Sequence, residues 1–82
     1  MQTTSRFEAT ALHALISDLR WRIQMLDSDI AEEERNAGNA DPRSPTYSML
    51  AQALRSRRDN LRASIAMLRG REERAAELSH AA

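Results

Sequence analysis

With 82 residues, twelve basic and twelve acidic side chains and no cysteine, the chain is one small domain of balanced charge that no disulfide can staple. A core of this size is modest, so a second buried surface, from oligomerisation or a partner, would be physically useful. No apolar run is long enough to span a membrane, and the opening "MQTTSRFEAT" lacks the basic-then-apolar order of a secretory signal, which makes a cytoplasmic protein the expectation.

The first element is a helix over about residues 5–37, a stretch without proline or glycine and rich in Ala, Leu, Arg, Glu and Gln. Its residues Ala9, Leu12, Ile16, Leu19, Ile23, Leu26 and Ile30 alternate spacings of three and four, the signature of an apolar coiled-coil seam. A turn over about residues 38–45 follows: Gly38 can end a helix in the left-handed conformation, and Asp41-Pro42 and Ser44-Pro45 cannot continue one. Ser44 and Pro45 read as the N-cap and first position of a second helix over about residues 46–78. Gly70 is its weak point, and the tail "ELSHAA" is expected to fray.

The second helix carries its own seam: Tyr47, Ala51, Leu54, Arg58, Leu61, Ile65, Leu68, Glu72 and Ala75. Folding the chain at the turn sets Ile30 against Leu54, Leu26 against Arg58, Ile23 against Leu61, Leu19 against Ile65 and Ile16 against Leu68. Leu12 then meets Glu72, and Ala9 meets Ala75. The expected fold is therefore all-α: one antiparallel two-helix hairpin over residues 1–82, coiled-coil-like, completing a four-helix bundle by dimerisation or with partner helices.

The outer faces are unusual for helices facing water. Ala11, Ala14, Asp18, Trp21, Met25 and Ser28 repeat at the same spacing, as do Met49, Ala53, Ser56, Asn60, Ala63, Met67 and Gly70. A solvated face normally carries Glu, Lys or Arg. Small side chains let another helix approach, Met adapts to irregular surfaces, and Trp is a frequent interface anchor. Ala14, Asp18, Trp21, Met25, Met49, Ala53, Ser56, Asn60, Ala63 and Met67 are accordingly the candidate protein interface, with a second copy as the first candidate partner and a helix of another protein as the next.

Charge is segregated along the chain. "DSDIAEEE", residues 27–34, holds five acids and no base, whereas residues 51–71 hold six arginines against Asp59 alone. Arg58 breaks the apolar seam within reach of Asp27 or Asp29, while Arg62, Arg69 and Arg71 remain to set specificity by charge. Neutral net charge and the lack of a helix-turn-helix pattern argue against DNA as a partner. There is no glycine-rich phosphate loop, no nucleophile paired with a histidine and no carboxylate pair in an apolar pocket, so no enzyme is expected. His13 and His80 lie far apart and in no ligand-like spacing, so neither a metal nor a cofactor is expected. The leading reading is a cytoplasmic adaptor, chaperone or inhibitor that binds helices.

Two families share features with the chain. In length, hairpin form and the turn "DPRSP" before "YSMLAQAL" it resembles the small helical hairpins of type III secretion systems, needle subunits and the co-chaperones that hold them; that resemblance implies helix-to-helix packing in a filament or chaperone complex. Ser17, Arg20 and Gln24 have the Ser-x2-Arg-x3-Gln spacing that resembles the cyclic-di-GMP-responsive anti-sigma hairpins, with His13 and Ser28 where that motif has acids that help to read the nucleotide. That resemblance implies a nucleotide-responsive regulator, and the competing reading of the chain is a ligand- or nucleic-acid-responsive regulator using Arg20, Gln24, Arg62 and Arg69.

Overall fold

The computed structural model describes the backbone of residues 2–81 and the side chains of residues 8–78. It is all-helical among the described residues: α1 spans Gln2–Ala37 and α2 spans Met49–Ala81, packed against each other as a hairpin. The body measures 56 × 18 × 13 Å, two helices wide and one helix thick. Each helix therefore has a single covered stripe. Neither is long and apolar enough to cross a membrane, among the described residues.

Most helical stability in proteins comes from packing an apolar face rather than from propensity, and the shared seam is what holds these two. Ile16, Leu26, Ile30, Tyr47, Ala51 and Leu68 are buried, and Leu12, Leu19, Ile23, Leu54, Leu61, Ile65 and Ala75 are half-buried. Ala9, at the outer end of the expected seam, is exposed. Arg58 reaches across to Asp27, which agrees with the register read from the two seams. Residue 80, the second histidine, lies outside the described side chains.

α1 ends as the Gly38 signal predicts. Gly38 takes φ 69°, its N–H donates to the carbonyl of Arg35 at 3.2 Å, and the N–H of Asn39 donates to the carbonyl of Glu34 at 3.1 Å. These two bonds satisfy carbonyls that the helix would otherwise leave without partners. α2 begins later than expected. Ser44 does not cap it: Asp41–Ser44 and Ser44–Tyr47 close two consecutive turns, with Ser44 N–H donating to the Asp41 carbonyl and Tyr47 N–H to that of Ser44. Pro42 and Pro45 each occupy the second position of these turns, where a fixed φ is favourable. The Ser44 hydroxyl accepts from the Asn39 amide at 2.9 Å and from the Thr46 N–H at 3.3 Å, so it is committed to the turn.

The cap is Ser48. Its hydroxyl accepts from the Ala51 N–H at 3.2 Å and donates to a carboxylate oxygen of Glu33 at 2.9 Å. The extra residues in the turn let Tyr47 fold over the end of the seam, where its hydroxyl donates to Glu34 at 2.7 Å. At Gly70 the helix neither ends nor bends away from α-geometry, and α2 continues to Ala81.

Candidate interaction surfaces

The residues expected at an interface are all exposed: Ala14, Asp18, Trp21 and Met25 on α1, and Met49, Ala53, Ser56, Asn60, Ala63 and Met67 on α2. Trp21 has 61% of its surface in solvent and Met49 88%. They do not form one surface. Because the helices meet through their seams, the positions farthest from each seam point in opposite directions, across the 18 Å width of the hairpin. Ala14 and Trp21 lie on the outer edge of α1, and Met49, Ser56 and Ala63 on the outer edge of α2.

The remaining members are brought together. In an antiparallel pair, matching flanks of the two seams fall on the same side. One side of the hairpin thus carries Asp18 and Met25 from α1 beside Ala53, Asn60 and Met67 from α2. It also carries Leu15, Leu50 and Leu78, which are 45%, 57% and 73% exposed and lie outside the expected interface set. Each follows the same flank of its seam, so the signal is present in the spacing, and the antiparallel packing of α1 on α2 brings the two flanks to one side. Every exposed large hydrophobic among the described residues lies on this side or on the two outer edges.

The opposite side is polar. His13, Ile16, Arg20, Arg69, Glu72 and Glu73 line an open groove of about 310 Å³. Two guanidinium groups and two carboxylates share it, so the positive charge that a phosphate would need is already balanced. Arg62, on the same side, has Asp59 at 3.8 Å. Gln24 is exposed on α1 and does not line the groove. Arg71 falls instead on the apolar-bearing side. Among the described residues, no group of His, Asp and Glu converges as a metal-binding cluster.

Arg58 sits in the seam with only 13% of its side chain exposed. Its guanidinium donates to Asp27 at 3.1 Å and twice to Asp59 at 3.2 Å. Burial opposes its charge, but the bonds to Asp27 and Asp59 and their Coulomb attraction outweigh that and hold its pKa above the ordinary arginine value. Its donors are occupied within the chain, so as a specificity element it would have to act through this internal pair. At the other seam polar contact, burial pushes the Tyr47 phenol up, and the neighbouring Glu34 carboxylate pushes it further the same way. Asp18 is held by Arg22 at 3.0 Å, an exposed pair one helical turn apart that contributes little.

Comparison with protein-family models, with curated proteins and with solved structures finds no match for this chain.

Proposed function

We propose that this chain is a small interaction module that acts by binding helices rather than by catalysis, as an adaptor, chaperone or inhibitor working in the cytoplasm. The observation that carries the reading is the distribution of exposed apolar side chains. Leu15, Met25, Leu50, Met67 and Leu78 gather on one side of the hairpin, with Trp21 and Met49 on its edges, while the other side carries His13, Arg20, Arg62 and Arg69. Solvated single apolar residues are ordinary, but a one-sided set on a body one helix thick is what a bundle partner would cover. A helix laid along it would bury Met side chains that adapt to the partner's shape, with Trp21 at the rim.

A photo-crosslinking amino acid in place of Met25, in the full chain inside expressing cells, tests this. The expected product is an adduct of defined mass, either twice the chain or the chain joined to one other protein. Recovery of uncrosslinked chain alone would overturn the reading. A nucleotide-responsive regulator would instead show ligand binding that weakens steeply with salt and is unaffected by changes at Met25 and Met67.

A further inference from the structure

We infer that the apolar-bearing side takes a second copy of this chain, related by a two-fold axis parallel to the long axis of the hairpin, so that α1 of one copy lies on α2 of the other with both turns at the same end. The inference rests on the interaction reading and names its partner.

The first support is area. A compact monomer of 9.3 kDa is expected to expose about 5,000 Å². This chain exposes 6537 Å². The excess exceeds the ~800 Å² that each partner contributes to a standard interface. Covering one flat side is the way for a one-helix-thick body to lose it.

The second support is charge. Among the described residues, on this side α1 presents Glu8, Asp18, Asp29 and Glu32 against one base, Arg22, which is already paired with Asp18. α2 presents Arg57, Arg71 and Arg74 and no acid. A two-fold axis across the hairpin would set acidic strip on acidic strip and basic on basic. The axis along the hairpin sets each acidic strip on a basic one, twice.

That axis allows no sliding along its own direction, so it also dictates register. Each residue of α1 lies level with the α2 position that it already faces within its own chain. Asp29 then comes level with residue 55 and within about half a turn of the partner's Arg57, Glu8 within the same distance of the partner's Arg74, and Leu15 between the partner's Met67 and Arg71. Asp29 and Arg57 thus meet toward the turn and Glu8 and Arg74 toward the open end, with Leu15 against Met67 between them.

Charge-swapped pairs test the arrangement by light scattering over a concentration range. Glu8→Arg/Asp29→Arg reverses one strip and Arg57→Glu/Arg74→Glu the other; all four positions are exposed, so both variants should keep the wild-type helical circular dichroism. The expected result is a wild-type dimer, each variant alone weakened about a hundredfold or more, and a dimer restored on mixing the two. Variants that dimerise alone as well as wild type, or fail to pair when mixed, would overturn the inference. A wild type that stays monomeric would overturn it too, while leaving the helix-binding reading to the Met25 adduct. A cross-link that leaves every charge in place probes the same axis independently in this cysteine-free chain. Mixed Leu15→Cys and Met67→Cys chains should oxidise to the hetero-disulfide; a Leu15→Cys homodimer as the main product would place the axis across the hairpin and overturn it.

Discussion

The two ends of the hairpin are built differently. At the turn, Gly38, Asn39, Ser44, Tyr47 and Ser48 tie the connection to the last turn of α1 through bonded backbone and side-chain groups, and Leu26, Ile30, Tyr47 and Ala51 are buried beneath them. Among the described residues of the open end, only Ile16 and Leu68 are buried, with Glu72 half-buried in the seam and Ala9 exposed. Closing the chain supplies the turn end with short-range contacts at low entropic cost, whereas the described seam of the open end relies on apolar contact. Local opening of the described seam should therefore reach Ile16 and Leu68 before Ile30 and Ala51.

The largest test of that contrast compares two seam alanines. Ala51 has no exposed surface, so Ala51→Leu should overpack the turn end and cost about 1–3 kcal/mol. Ala75 is half-buried at the loose end, and Ala75→Leu should be neutral or stabilising. Urea midpoints read both, and equal losses would show that the ends are packed alike.

The two glycines sharpen the contrast further. Gly38 has φ 69° and open space where a methyl group would go, so Gly38→Ala meets only backbone strain and should cost about 1–2 kcal/mol. Gly70 is helical with the same open space, so Gly70→Ala should stabilise by ~0.5–1 kcal/mol. The same chemical change is expected to have opposite signs in thermal unfolding.

Ser48→Ala removes both the cap of α2 and the bond to Glu33, and should cost about 1 kcal/mol, whereas Ser44→Ala leaves the first turn of α2 capped. Were Ser44→Ala rather than Ser48→Ala to speed amide exchange in the first turn of α2, the observed helix start would be wrong. The smallest effect is with pH. The Tyr47 pKa is raised on folding, so the folded state holds this proton more tightly than the unfolded chain does. Its contribution is complete below the unfolded value of about 10 and is lost as pH rises through the folded value. Alkaline titration of wild type against Tyr47→Phe should show an extra loss of stability above that pH in wild type alone.

Much of the fold is legible in the sequence because it follows from local rules: paired seams of matching length, a helix stop at Gly38 and two prolines between them. The start of α2 is not. Ser44 and Ser48 both precede a helix-compatible stretch, and the choice depends on whether the Ser44 hydroxyl is free, which Asn39 and Thr46 decide from within the turn. Among the candidate interface residues, exposure is readable from spacing at each position, yet spacing groups Trp21 and Met67 on one surface and the fold separates them.

The two helices, their register and the exposure of the Met and Trp strips follow from the residues alone, because periodicity along one helix specifies which side meets its neighbour. Which flanks of α1 and α2 fall on a common side is set by how the two helices pack. That is a property of two helices running in opposite directions, and it gathers Leu15, Leu50 and Leu78 with Met25 and Met67 while leaving Arg20, Arg62 and Arg69 on the other side.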